Sequence, residues 1–277
     1  MHYLAEQLNT ILTQIDVAVT VFVSVDASTD GTETWIDEQA KHDRRIVVLP
    51  HGQNFDGAAK NFFHLLREVD FSKYDFISFS DQDDVWFPDK LSHGIKQISI
   101  HNADAYSANV IAFWADGREQ LIDKSQPQTE LDYLFEAAGP GCTYLFTNKA
   151  ANLIKYTLNQ FPDLNKFMLH DWLSYAILRH HKYKWFIDSI PKMKYRQHEK
   201  NQVGANVTLR GMVSRLQSIL SGQVFDSISL LVKTLNIPNI QLSSRKGSFQ
   251  LALKVRKLRR RNIDKLYAFI ALTLYGV

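Results

Sequence analysis

The stretch YDFISFSDQDDVWFPD, residues 74–89, decides the fold of this 277-residue chain. Its first half is an apolar run typical of a buried strand, and three carboxylates within four residues follow directly behind it. Because successive side chains of an extended chain alternate, Asp81 and Asp83 would project to the same side. Two such ligands can hold Mg²⁺ or Mn²⁺, whose open positions accept phosphate oxygens. The alternative is an acidic turn that caps a helix beginning near Pro88.

The first two-thirds of the chain alternates between strand-like and helix-like patterns. This alternation predicts an α/β fold with a largely parallel sheet, in which residues 108–114 form one of the strands. Farther on the pattern is helical, with a turn at residues 236–239 and a break at Gly247. We therefore expect an α/β body over residues 1–206 and a helical basic extension over residues 207–277.

The composition, 45% hydrophobic and 22% charged residues, is that of a globular protein. A single cysteine, Cys142, excludes an internal disulfide framework and fits a reducing compartment. No apolar stretch is long enough to predict a membrane span, and no secretory signal pattern opens the chain. We therefore expect a cytoplasmic protein.

Basic charge is concentrated in the extension. Residues 245–265 hold nine Lys or Arg and one acid, a formal charge of +8 against −5 for the rest of the chain. A basic helix-compatible run at residues 254–261 precedes an apolar segment at 266–277. This pattern suits an interfacial helix of residues 245–277 on an anionic membrane surface, at the inner face of the membrane. The alternative is a basic face packed on the body; nucleic acid is disfavoured because no nucleic-acid-binding fold accompanies the run.

A second polar segment, VDASTDGT at residues 25–32, follows a buried-type strand and precedes a helix. In open α/β sheets ligands bind at such carboxyl ends of strands. Asp26 could accept a hydrogen bond from a nucleotide base or a ribose hydroxyl, while Ser28 or Thr29 could cap the helix. The alternative is an ordinary strand–turn–helix connection.

A third segment places His170 and Asp171 at the start of a helix. Asp171 could be a first-turn residue stabilised by the helix dipole, or a general base that takes a proton from an acceptor hydroxyl. His170 could contact phosphate or a metal, or stabilise the loop.

A fourth segment, YRQH at residues 195–198, places Arg196 and His198 one strand pitch apart. Both side chains could then reach phosphate oxygens on one side of the strand. The alternative is a solvated strand end.

In their order and spacing these four segments resemble the family-2 glycosyltransferases, and most closely the rhamnosyltransferase-type branch. The resemblance runs from about residue 2 to residue 204. Its most specific elements are SDQDDVW at 80–86, PDKL at 88–91 and STDGT at 28–32. Further support comes from GPGC at 139–142, HDW at 170–172, YRQH at 195–198 and the Asn54, Phe55, Gly57, Asn61 and Phe62 positions.

The resemblance implies a GT-A fold, a Rossmann-type mixed sheet flanked by helices. Asp26 then matches the residue that contacts the donor nucleotide. Asp81 and Asp83 match the DXD pair that binds a divalent metal and the ribose and diphosphate of the donor. Asp171 matches the general base of inverting transfer.

The implied function is a metal-dependent inverting transfer from a nucleotide sugar, with dTDP-L-rhamnose the first expectation. The acceptor would be a bacterial surface or cell-wall glycan, free or lipid-linked. Two alternatives stay open: a nucleotidyltransferase that uses the same Asp pair and releases pyrophosphate, and an inactive copy that serves as a binding protein.

The N-terminus departs from the pattern of the family. Relatives begin with a strand that ends near Thr-Tyr-Asn, followed by a helix resembling Tyr3–Leu8, whereas this chain opens at that helix. Either the start of the chain is misassigned, or the domain is a truncated copy without the first, interior strand, which would leave an exposed apolar strand edge. A second departure is Val25, where relatives commonly carry an additional Asp.

Overall fold

Helices and strands alternate along the body of the chain in the computed structural model, which describes residues 3–198, 222–238, 240, 242 and 244–274. The α-helices are α1 Leu4–Leu12, α2 Thr32–His42, α3 Ala58–Glu68, α4 Lys90–His101, α5 Asn148–Gln160, α6 His170–His180, α7 Gln223–Thr234, α8 Arg245–Ala252, α9 Val255–Leu258 and α10 Asn262–Leu274. The strands are β1 Val21–Val23, β2 Ile46–Val48, β3 Phe76–Ser78, β4 Val85–Trp86, β5 Ala105–Ala108, β6 Val110–Phe113, β7 Glu119–Ile122, β8 Leu145–Thr147, β9 Trp185–Asp188 and β10 Met193–Arg196.

The described strands form three sheets. The first has the order β3-β8-β5-β9, in which β8 is antiparallel to both neighbours and β5 is parallel to β9. The second has the order β4-β10-β6-β7, with one parallel pair, β10 and β6. The third is the parallel pair of β1 and β2. The predicted α/β fold with a mixed sheet flanked by helices is confirmed. The largely parallel sheet expected from the alternation of elements is wrong, because four of the seven strand pairs in the described fold are antiparallel.

The strand predicted at residues 108–114 is two strands in two different sheets. Asn109 separates β5 from β6 and is buried, with 2% of its surface exposed. Its side-chain amide donates to the carbonyl of Ser189 at 3.1 Å and its oxygen accepts from the Lys124 amide at 2.7 Å. These bonds satisfy the buried polar groups at the point where the chain passes from one sheet to the next.

In the described fold, no backbone pairing joins β1 and β2 to the other strands of the body. Among the described strands β1 pairs with β2 alone and β3 with β8 alone. Side chains make the connection instead: the Phe22 and Tyr74 rings meet edge-on at 5.6 Å, and the Asn61 amide donates to the carbonyl of Ser24 at 3.1 Å. One edge of β1 therefore lacks a strand partner in the described fold.

The main core lies between β8 and the helices α3, α5 and α6. Phe63, Phe146, Ile154 and Leu173 are fully buried there. The helices of the extension contribute to the same core through Phe225, Ile228, Leu231, Leu251, Leu258 and Leu272. In the described part of the extension, these helices thus pack on the body through their apolar side chains. This agrees with the alternative expected for the basic segment, a basic face packed on the body.

The break predicted at Gly247 is wrong, because α8 runs through that residue. Ser244 caps the helix, its hydroxyl oxygen accepting from the Gly247 amide at 3.1 Å. The helix ends at Ala252, and the residue that follows α9, Arg259, has extended backbone angles of φ −138° and ψ 148°. Asn239, at the end of the predicted turn, lies outside the described residues. No helix in the described ranges has the length and apolarity needed to cross a membrane.

Candidate active site

Six predicted site residues line one cavity of about 790 Å³. The cavity is bounded by α1, β1, α3, the acidic loop at residues 80–83, the loop at 136–141 and the start of α6. The six residues are Asp26, Asp81, Asp83, His170, Asp171 and His198. Residues far apart in sequence meet here because they follow strands or begin helices at the same end of the body.

The acidic loop follows β3 and bends at residues 82 and 83 instead of staying extended. Asp83 therefore turns toward His198, whose Nε2 lies 2.7 Å from its carboxylate. Asp84 is fully buried and accepts the backbone amide of Arg196 at 3.1 Å. The predicted alternation of Asp81 and Asp83 on one extended segment is replaced by a turn that places Asp84 close to Asp81.

Three buried carboxylates at the cavity, those of Asp81, Asp84 and Asp171, have raised pKa values. Burial, together with the charges of Asp83 and Asp171, raises the pKa of Asp81 to about 7. Burial and the neighbouring acids raise the pKa of Asp84 well above its ordinary value. Burial also raises the pKa of Asp171 to about 6, although hydrogen bonds from backbone amides oppose it. Acids that are desolvated and crowded in this way are typical of functional sites.

The carboxylates of Asp81 and Asp84 lie close enough together to share a hard cation, with the Cys142 sulfur beside them. Burial raises the pKa of the Cys142 thiol, and a protonated thiol is not a ligand of such a cation. The two carboxylate oxygens and the sulfur lie within 4.8 Å of one another. One carboxylate oxygen of Asp84 is buried without a hydrogen-bond partner among the described residues. A hard divalent cation would satisfy that oxygen and relieve the repulsion between the acids. Sequence reasoning missed Asp84 and Cys142, although both lie within the segments DQDD and GPGC that it singled out.

Asp171 and Asp26 face the cavity from different walls. Asp171 lies in the first turn of α6, and its carboxylate accepts the Trp172 amide at 2.6 Å. Asp26 follows β1 and accepts the Phe55 amide at 2.9 Å. The hydroxyls of Ser28 and Thr29 do not cap α2 as predicted. The carboxylate of Asp30 accepts the Thr32 amide at 3.0 Å instead.

Comparison with known proteins identifies the family. Residues 2–144 match the model of Glycosyl transferase family 2. The dTDP-rhamnosyl transferase RfbG of Shigella flexneri is 41% identical over 280 residues, which cover 98% of this chain and 96% of that protein. The chain belongs to glycosyl transferase family 2. This glycosyltransferase has the predicted fold and class of activity.

Solved structures agree on the fold of the glycosyltransferase. S. aureus TarS 1–349 superposes with a TM-score of 0.52 at 15% identity, over 98% of this chain and 66% of that one. TarS 1–349 in complex with UDP-GlcNAc gives 0.51 at 19% identity, over 98% and 76%. The mannosyltransferase PcManGT from Pyrobaculum calidifontis, in complex with GDP-Man and Mn²⁺, gives 0.50 at 14% identity, over 99% and 82%. The glycosyltransferase therefore has a GT-A fold.

His170 of the glycosyltransferase packs against the loop at Gly141, the alternative role expected for it, and its assignment as a metal contact stays a prediction. Its ring stacks on Phe62 at 3.8 Å between centroids, and burial lowers its pKa to about 3. A Cβ atom at residue 141 would lie 2.6 Å from its Nε2, so Gly141 leaves the space that the ring occupies. His170 is thus a neutral, packed side chain outside the group formed by Asp81, Asp84 and Cys142.

Arg196 does not line the cavity, which corrects its assignment to the donor phosphates. Its Nε donates to the Asp83 carbonyl at 2.8 Å and its Nη2 to Glu6 at 2.6 Å. The guanidinium also contacts the rings of Tyr3 and Phe113, at 4.3 and 4.6 Å from their centroids. Arg196 therefore ties α1 to the acidic loop of the glycosyltransferase.

Proposed function

We propose that the protein transfers rhamnose from dTDP-L-rhamnose to a hydroxyl group of a bacterial surface or cell-wall glycan, with inversion and with Mg²⁺ or Mn²⁺. The observation that carries this proposal is the convergence of Asp26, Asp81 and Asp171 on one cavity, in which burial raises the pKa values of Asp81 and Asp171. The relative named a dTDP-rhamnosyl transferase supports the choice of donor.

The donor would lie between β1 and the acidic loop. Asp26 would accept a hydrogen bond from the nucleotide, and His198, held by Asp83, would face the diphosphate. Asp81 and Asp83, with Asp84 behind them, would hold the divalent cation. When bound, that cation neutralises the charge that develops on the departing dTDP.

Asp171 would act as the base. Its pKa of about 6 leaves the carboxylate ionised at neutral pH, while its basicity exceeds that of an ordinary aspartate. As the acceptor oxygen bonds to the anomeric carbon, the bond from that carbon to the diphosphate breaks, and Asp171 takes the hydroxyl proton. Attack from the face opposite the leaving group gives inversion in a single displacement.

The donor assignment is tested by measuring nucleotide release from dTDP-L-rhamnose and from other common nucleotide sugars, with a panel of octyl glycosides as acceptors. We expect dTDP release that requires Mn²⁺ or Mg²⁺, stops with EDTA and is lost in Asp83→Asn. Asp89→Asn is the matched control, because Asp89 lies near the same loop but does not line the cavity. Release of pyrophosphate instead would indicate nucleotidyl transfer, and no nucleotide release from any donor would overturn the proposal.

We also propose that the extension docks on an anionic membrane at the cytoplasmic face. Eight of the fifteen exposed large hydrophobic residues in the described ranges lie here: Phe249, Leu253, Ile263, Leu266, Tyr267, Phe269, Ile270 and Leu274. Basic residues of the same segment lie between them in the sequence, including Lys246, Lys254, Arg256, Lys257 and Lys265. Apolar insertion and attraction to anionic lipid would act together.

Vesicle flotation tests this docking. We expect the protein to float with vesicles that contain phosphatidylglycerol and not with purely zwitterionic vesicles. Ile270→Asp should abolish flotation. Ile100→Asp, at a position that is 61% exposed on α4, should leave it unchanged. Equal binding of Ile270→Asp and the wild type would refute this surface.

A further inference from the structure

The sulfur of Cys142 lies behind the acidic loop of the active-site cavity. Cys142 is fully buried and does not line the cavity, whereas Asp81 and Gly141 do. Its sulfur and one carboxylate oxygen from each of Asp81 and Asp84 lie within 4.8 Å of one another. The proposed sugar transfer uses these two carboxylates but leaves the thiol, the single thiol of the chain, without a role.

The fold holds the sulfur and Asp84 in place from two sides. Cys142 is the middle residue of a short 3₁₀ turn, Gly141–Thr143. One carboxylate oxygen of Asp84 accepts the Arg196 amide at 3.1 Å, and its other oxygen is buried without a hydrogen-bond partner among the described residues. Because Asp84 is fully buried, that oxygen carries a desolvation cost. A bound cation would remove this cost.

The charge of a buried ammonium group also acts on the sulfur. Lys90, the first residue of α4, is 4% exposed, and its Nζ lies 3.4 Å from the centroid of the Trp86 ring. Burial and the charges of Asp84 and Asp81 raise the pKa of the Cys142 thiol, whereas the charge of Lys90 lowers it. The thiol is therefore protonated in the protein by itself. A cation that binds the sulfur directly displaces this proton.

The full set of three ligand atoms, with its sulfur, is typical of a thiophilic cation, whereas Mg²⁺ takes oxygen ligands. Zn²⁺ binds thiolate sulfur at about 2.3 Å and carboxylate oxygen at about 2.0–2.2 Å, usually with four ligands. The ligands of such a tetrahedral ion lie about 3.3–3.8 Å apart, so the set must close by about 1.5 Å at most. Asp81 lines the cavity, so its side chain has room for this movement.

We propose that Asp81, Asp84 and Cys142 bind a thiophilic divalent cation such as Zn²⁺, with the fourth position of the metal open toward the cavity beside Asp81. As the bond from the metal to the sulfur forms, the S–H bond breaks and its proton goes to solvent. Asp81 would then belong to two alternative cation sites, and bound Zn²⁺ would exclude Mg²⁺ or Mn²⁺ from the acidic loop. This exclusion rests on the proposed function, whereas the zinc site itself does not.

The test is a titration of the full chain with Co²⁺, a spectroscopic substitute for Zn²⁺, without thiol reductants. A thiolate ligand gives an intense sulfur-to-cobalt charge-transfer band in the near ultraviolet, and Cys142 is the one residue of the chain that can produce it. We expect the band to saturate at about one equivalent of Co²⁺ and to disappear with about one equivalent of Zn²⁺. The same amount of Mg²⁺ should leave it unchanged, because magnesium does not compete for sulfur.

Cys142→Ser should lose the band and bind Zn²⁺ at least about tenfold more weakly, with Mn²⁺ affinity within about twofold of the wild type. Thr143→Ser is the matched control in the same turn, because a serine hydroxyl keeps the bond that Thr143 donates to the Pro140 carbonyl at 2.7 Å. If Cys142→Ser does not fold, ¹¹³Cd NMR of the wild type decides instead, since a sulfur ligand moves the cadmium resonance far from that of an all-oxygen site.

Absence of the band at saturating Co²⁺, or equal Zn²⁺ affinity in the wild type and Cys142→Ser, would overturn the site. Nucleotide release with Mn²⁺ and increasing Zn²⁺ tests the exclusion, and inhibition should be weaker in Cys142→Ser. Release that saturating Zn²⁺ leaves unchanged would show that the two cations do not share Asp81. If no donor releases a nucleotide, the proposed function fails, while the cobalt spectrum still decides the zinc site.

Discussion

The two walls that face the donor differ in how the fold supports them. The acidic loop follows β3, a strand of a four-stranded sheet, and Asp84 and Arg196 fasten it from behind. Asp26 follows β1, a strand of an isolated pair, and one hydrogen bond to the Phe55 amide holds its carboxylate. The acidic loop thus has several supports, whereas the residue proposed for nucleotide recognition lies on a strand pair that we expect to move more easily.

The largest expected effect is at the proposed base, Asp171, in the first turn of α6. Asp171→Asn should lower kcat by about 10²–10⁴, the usual contribution of a general base, and leave dTDP affinity within about twofold. Wild-type kcat should fall as pH decreases through about 6, because Asp171 becomes protonated there. Initial rates at saturating donor, measured from pH 5 to pH 8, check both statements.

Asp163→Asn is the control for that experiment, since Asp163 is an exposed carboxylate just before α6 and does not line the cavity. A variant at Asp171 that keeps more than a tenth of the wild-type kcat would remove its assignment as the base.

An intermediate effect is expected at Asp26, which follows β1. Asp26→Asn keeps an oxygen for the Phe55 amide but loses the charge, so dTDP affinity should fall about tenfold. At saturating donor kcat should change by less than about twofold. Calorimetric titration with dTDP measures the first quantity, and Asp30→Asn, in the same turn but away from the cavity, is the control. A large loss of kcat with unchanged dTDP affinity would assign Asp26 to the chemical step instead of nucleotide recognition.

The smallest effect concerns stability at the acidic loop. The folded-state pKa of Asp81 is about 7, above its ordinary 3.8, so its ionised form destabilises the fold above pH 7. This destabilisation is lost as pH falls through 7 and is absent below about pH 4. Asp81→Asn should therefore raise Tm by about 2–4 °C at pH 8 and leave it unchanged at pH 4.

Thermal unfolding with and without Mn²⁺ completes that measurement. Wild-type Tm should rise with Mn²⁺ at pH 8, and the rise should be smaller in Asp81→Asn because a ligand is lost. An equal rise in both proteins would place the cation elsewhere.

The fold and much of the site could be predicted because strand ends and helix starts mark ligand sites. Asp26, Asp81 and Asp171 are at such positions, and the structure brings all three to one cavity. Spacing does not reveal which neighbour a side chain will meet. Arg196 was assigned to phosphate, but Glu6 and the Asp83 carbonyl, distant in sequence, occupy its donors.

Local bends are the other source of error. The sequence predicts an extended loop with Asp81 and Asp83 on one side, and these two residues remain the proposed holders of the cation. The turn in the loop, which the sequence does not reveal, brings Asp84 and Cys142 near Asp81 as well. Gly247 was taken as a break because glycine weakens a helix. The Ser244 cap on its amide offsets that weakness, and nothing in the spacing of apolar residues signals such a bond.

The isolated pair of β1 and β2 has a consequence for local unfolding. A two-stranded sheet depends on the helices that pack on it, here α1 and α2 through Leu8 and Ile36. We expect this pair to open at a lower free energy than β5, which pairs on both sides. Backbone amides of residues 21–23 should then exchange with solvent faster than those of residues 105–108. Binding of the nucleotide at Asp26 would hold this strand pair in its folded form. Part of the binding free energy of the nucleotide would then be used to order the side of the pocket that the pair forms.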